Sequence, residues 1–144
     1  MAKTYPMLSS DGHLEVLPER WTGRMPAKYR ELAPRTTTLP DGSDAIVIAG
    51  SAPFKVNYID LRGGRSAKDW APVGVKVENT PGIGPPAQRV AEQDADGLLS
   101  EVLFPNMVVG PALWRNMQDD AAYVAAVRAY NDWMVEEWSG AAPK

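Results

Sequence analysis

Cysteine is absent from the 144 residues and histidine occurs once, as His13. Without cysteine there is no disulfide framework, no thiolate zinc site, no iron–sulfur cluster and no thiol nucleophile. One histidine excludes a cluster of imidazole ligands built from this chain alone. A basic excess is missing too: 15 Lys and Arg stand against 18 Asp and Glu, a formal charge of -3. That balance argues against a nucleic-acid partner, which usually calls for a basic face. No run approaches the roughly 20 apolar residues of a membrane span. Met1–Pro6 is not followed by the apolar core of about 7–15 residues that a secretory signal needs. The expectation is a soluble, cytoplasmic protein with a small-molecule or protein partner.

What is present is unevenly spread. Ten of the thirteen prolines fall at or before Pro86, which predicts a loop-rich first region and a compact, mostly helical second one. Tyr5 to Asp11 reads as a short strand, with Gly12 opening an irregular exit. Between Pro18 and Pro34, Gly23 and Pro26 cut the chain into short helical turns. Asp41-Gly42 is a strong turn signal between Arg35–Leu39 and Ala45–Ala49, so a small hairpin is expected there. From Ala52 to Pro86 the Gly, Pro and Asn content, with little periodicity, points to a functional lid or mobile loop.

The second region is more regular. Ala87 to Asp96 reads as a helix closed by Gly97 as its C-terminal cap. Leu98 to Pro105 reads as a strand, and its apolar end Val102-Leu103-Phe104-Pro105 suits burial on both faces. Helix followed by buried strand is half of a parallel β/α unit. A final helix starts at Asp119 and Asp120, where negative charge favours an N-terminus. Tyr123, Val127, Tyr130, Met134 and Trp138 place one apolar stripe along it up to Gly140.

Chemistry concentrates in Ser10-Asp11-Gly12-His13-Leu14-Glu15. Asp11 and His13 are two apart, so on extended backbone they project to the same side. A carboxylate and an imidazole so placed suit zinc, manganese or iron. A surface histidine near a turn carries the same pattern without a metal. Glu15 shares their parity and reads as a third ligand, an acceptor for the imidazole, or a solvated loop carboxylate. Ser9 and Ser10 lack the elbow that exposes a nucleophilic serine. Gly82-Ile83-Gly84 lacks the third glycine of a phosphate loop. Arg62, Arg65 and Lys68 beside Trp70 form a modest basic cluster, either facing an anionic substrate or simply solvated.

Several stretches together resemble the amidohydrolase-related family of metal-dependent hydrolases and decarboxylases, the group that includes aminocarboxymuconate-semialdehyde decarboxylase. Ser9 to Glu15 followed by Pro18-Glu19-Arg20-Trp21 resembles that family's first-strand metal motif and the aromatic after it. Pro86 to Gly97 running into Val102-Leu103-Phe104-Pro105 resembles its helix and second strand, and Tyr130-Asn131-Asp132-Trp133 its next helix. The resemblance implies an α/β fold, the N-terminal part of a TIM (β/α)8 barrel. Residues 1–13 would hold the first strand, 14–85 a loop-rich insertion covering the mouth, and 86–144 the second β/α unit and following helix.

It also implies one divalent ion, zinc first with manganese or iron next, on Asp11 and His13, with Glu15 as the further candidate. The substrate would be a small carboxylate, amide or ester, and Trp21, Arg24, Phe104 and Asn106 are the candidate substrate-binding residues. A complete barrel takes about 250 residues, and the family's later histidines have no counterpart here. The expectation is therefore an incomplete site, completed by further residues, a second chain or self-association. The alternative is a non-catalytic interaction protein derived from the same fold.

Overall fold

The computed structural model describes residues 6–55, 66, 68, 73–77, 85–105 and 108–140. The chain runs through β1 (Met7–Leu14), α1 (Glu19–Thr22), a 3-10 helix (Ala27–Leu32), β2 (Arg35–Thr38), β3 (Asp44–Val47) and β4 (Phe54–Lys55). It then forms α2 (Pro86–Asp96), β5 (Leu98–Pro105), α3 (Pro111–Asn116) and α4 (Asp120–Trp138). Among the described residues two sheets form, a parallel pair β1–β5 and an antiparallel sheet in the order β2–β3–β4.

Local signals explain most of the boundaries. Gly97 closes α2 with a left-handed φ of 69°, a conformation that costs glycine nothing. Gly42, at φ 82°, makes the turn that sets Arg35 opposite Val47 and Thr38 opposite Asp44. Pro26 starts the 3-10 helix. Asp119 caps α4 by accepting the Ala122 backbone N–H at 2.9 Å, a contact that contributes about 1 kcal/mol. Among the described residues no helix is long and apolar enough to cross a membrane.

Four expectations need correction. β1 does not end at Asp11; it runs on through Gly12 to Leu14, because the strand pairs with β5 along its C-terminal half. β5 is not buried on both faces: Leu99 is 69% exposed, Val102 52% and Phe104 45%. Its sheet has two strands, α2 covers one face, and among the described residues the other face is open.

The apolar stripe of α4 is also rotated from its expected place. The buried residues are Ala122, Ala126, Ala129, Tyr130 and Trp133, while Tyr123, Val127, Met134 and Trp138 flank them half-buried. Three of the five buried positions are alanines, which bring the helix backbone close to its neighbours, and Tyr130 and Trp133 complete the contact face.

The fourth correction concerns the segment after Ala52. Phe54–Lys55 adds a third strand to the hairpin, and Val75 and Val77 are core residues. Asp44 N–H donates to Val75 O at 2.8 Å, and Val77 N–H donates to the Asp44 carboxylate at 2.9 Å. Where it is described, this stretch is stitched to β3 rather than free as a lid. The rest of it, including Arg62, Arg65, Trp70 and Gly82-Ile83-Gly84, lies outside the described residues.

The hydrophobic core sits away from the parallel sheet. Trp21, Trp133, Met25, Ile46, Ile48 and Leu113 are its largest fully buried side chains, and of the β1–β5 sheet only Leu14 joins it. The loop-rich first region thus supplies much of the core. Trp21 stands edge-on to Tyr130, with ring centroids 5.8 Å apart. Arg20 reaches Glu137 and Arg24 reaches Glu136, each at 2.6 Å, so α1 is tied to α4 by apolar and ionic contacts together.

Asp41 lends the hairpin a pH dependence. Its carboxylate is held by the Lys55 ammonium and by the Ser43 N–H, which bring its pKa from 3.8 down to about 2. A carboxyl depressed on folding stabilises the native state above its unfolded value, and the contribution is lost as pH falls toward the folded one. Asp41→Asn should therefore lower the thermal midpoint at pH 6 and 5. The gap from wild type should close between pH 4 and 2, as followed by circular dichroism.

Candidate functional site

The parallel sheet positions the site. Strands β1 and β5 run side by side with Gly12 opposite Leu103, His13 opposite Phe104 and Leu14 opposite Pro105. Their carboxyl ends therefore finish together, which is where parallel α/β sheets bind ligands. Asp11 and His13 emerge there on the same side, with His13 Nε2 3.4 Å from Asp11 Oδ1. Both side chains are largely accessible, 79% and 50%, so their mutual contact contributes at most about 1 kcal/mol. The value of the arrangement lies in its donors: a carboxylate oxygen and a ring nitrogen converge on solvent at a strand end.

Phe104 belongs to the same face. Its ring lies 6.3 Å from the His13 ring, centroid to centroid, at 41°. An apolar wall beside two polar donors is the common composition of small-ligand sites.

Glu15 does not join the pair. It lies one residue past the end of β1, where the two-residue alternation of an extended strand no longer applies, and it is buried. Its charge is felt by Tyr130, whose phenol is pushed up to about 12 chiefly by burial and then by Glu15. Among the described residues no three His, Asp or Glu side chains assemble into a metal-holding group.

The other candidates are dispersed. Trp21 is fully buried in the core. Arg24 pairs with Glu136 and, with Lys28, Tyr29 and Arg128, lines an open groove of about 750 Å3 between the 3-10 helix and α4. No β1 or β5 residue lines that groove. Asn106 lies outside the described residues. The structure therefore brings Asp11, His13 and Phe104 together and leaves Glu15, Trp21 and Arg24 elsewhere.

Behind Gly12 lies a charged group that sequence reasoning passed over. Glu101 of β5 accepts a two-pronged contact from Arg89 of α2, Nε at 2.6 Å and Nη2 at 2.8 Å, and Gln93 donates to it as well. The guanidinium holds the Glu101 carboxyl below its ordinary range against the opposing effect of burial, and Arg89 is raised in return. A usable signal existed. Glu101 is the one charge inside the apolar run Leu98 to Pro105, and Arg89 and Gln93 are four apart on the preceding helix, hence on one face.

No protein-family model matches the chain, and no curated protein sequence does. Its fold is similar to that of an amidohydrolase from Mycobacterium avium subsp. paratuberculosis K-10, known from a crystal structure, with a TM-score of 0.63 at 16% sequence identity. The match takes in 95% of this chain and 40% of that one, so the chain spans two fifths of that structure's length. The chain accordingly has an amidohydrolase-like α/β fold containing a parallel sheet.

Proposed function

We propose that the chain is the N-terminal part of a metal-dependent hydrolase with a (β/α)8 barrel, and that Asp11 and His13 are its first-strand ligands for one divalent cation. The observation that carries the reading is the Asp11–His13 pair at the carboxyl end of a parallel strand. The donor set fits zinc first, with manganese or iron next. Such an ion, when bound, lowers the pKa of a water or polarises a substrate oxygen.

The chain's own residues have separate duties in this account. Asp11 and His13 hold the ion from one side. Phe104 walls the position beside His13 and takes the apolar part of a small amide or ester substrate. The open face of β5, with Val102 and Phe104 exposed, is the face that further strands cover in a closed barrel, since parallel strands are ordinarily covered on both sides.

Catalytic zinc takes about three protein ligands and keeps one position open. Two ligands therefore predict a site that binds metal without turning over. Metal content after dialysis, with activity against a panel of small amides and esters, tests this. Weak, exchangeable metal and no hydrolysis by this chain alone are expected. Stoichiometric metal retained through dialysis together with turnover would contradict the partial-site reading.

A further inference from the structure

We propose that Glu101, clamped by Arg89 and Gln93 of α2, is a positioning residue that braces Gly12 from behind and so sets Asp11 and His13 side by side. The inference rests on the metal-ligand reading above and adds residues that lie on the opposite face of the sheet from the ligands. Gly12 stands between the two ligands in sequence, and the position where its side chain would be is taken by Glu101. A Cβ there would come within 2.6 Å of Glu101 Oε2 and 3.1 Å of Val102 O. The carboxylate is almost completely buried and held at both oxygens by Arg89.

This contact falls where the two strands go out of step. Pairing is irregular between Ser9 and Gly12 and resumes in order at Gly12–Leu103 and His13–Phe104. A one-residue slip in a strand turns every side chain to the other face. Whatever fixes the register at Gly12 therefore decides whether Asp11 and His13 face the ligand side or α2. Glu101 fills that role because it cannot yield: moving it separates a buried carboxylate from its guanidinium. Only glycine lets β1 approach the carboxylate this closely.

Nuclear magnetic resonance on the 144-residue protein tests the proposal with two readouts. In metal-free protein, cross-relaxation between the His13 and Phe104 rings reports the register. Zinc titration followed at the imidazole of the one histidine reports the ligand pair. Glu101→Gln and Gly12→Ala should each abolish the ring contact and weaken zinc binding at least about 10-fold, as loss of a ligand's supporting contact does, while amide resonances of α4 and β3 stay in place. Gln93→Leu, which leaves the Arg89 pair intact, should weaken zinc less and covers the case in which Glu101→Gln fails to fold.

Val127→Ala, a destabilising change in α4, should move neither readout, which separates positioning from general loss of stability. Folded Glu101 and Gly12 variants that keep the ring contact and bind zinc within about twofold of wild type would overturn the proposal. An imidazole in the wild type that ignores zinc would instead overturn the metal reading. In that case loss of the ring contact in the variants would still support Glu101 as the brace.

Discussion

Trp133→Ala should strip away a large part of the protein's stability and move its urea midpoint far down. Trp133 is 2% exposed and sits between Tyr130 and Trp138, with centroids at 5.5 Å and 6.3 Å. Removing a buried indole costs about 3–5 kcal/mol through lost transfer energy and the cavity left behind. Whole domains are stable by only about 5–15 kcal/mol, and here the core is carried by a few large residues on α1, β3, α3 and α4. The neighbouring alanines, Ala126 and Ala129, are too short to collapse into the space. Trp133→Phe should cost much less, because the indole N–H has no hydrogen-bond partner among the described residues and so none of those contacts is lost with it. Urea unfolding followed by circular dichroism would measure both.

His13→Ala should weaken zinc binding severely while leaving the fold intact. The imidazole is half exposed, lies outside the core cluster and, among the described residues, meets Asp11 and the Phe104 ring. Its loss should shift the thermal midpoint little, since an exposed pair contributes at most about 1 kcal/mol. Its effect on metal should be large, because Asp11 would be left as the one ligand and a lone exposed carboxylate holds a divalent ion weakly. Asp11→Asn should weaken binding too, by removing the charge while keeping an oxygen donor. Isothermal titration with zinc separates these effects, and unchanged thermal unfolding of His13→Ala would show that the loss is local.

How much of this was legible in the sequence follows the range of each signal. Asp41-Gly42, Gly97 and Asp119 act within a few residues of themselves, and the turn, the cap of α2 and the start of α4 stand where they were read. The Asp11–His13 pair is similarly local, since two residues on one strand face must lie together. Glu15 shows the limit: parity holds only while the strand lasts, and β1 stops at Leu14.

Features that depend on distant partners were hidden. Nothing near Val75 or Val77 indicates that β3 will take them into the core, for the partner groups, Ser43 and Asp44, lie about 30 residues earlier. The buried face of α4 is displaced from the Tyr123–Trp138 stripe because Ala122, Ala126 and Ala129 allow close approach, which depends on the neighbours the helix packs against. Trp21 fits a pocket wall as well as a core by residue type, and only the position of Tyr130 decides. The exposure of β5 is likewise set by what covers the sheet, which a strand's own residues do not reveal.

X-ray absorption fine structure at the zinc edge of the zinc-loaded protein tests the central claim most directly. The account predicts one imidazole nitrogen at about 2.0–2.1 Å, with oxygen ligands completing the shell, and loss of the imidazole signature in His13→Ala. A shell made of oxygen alone, or a spectrum that His13→Ala leaves unchanged, would contradict it.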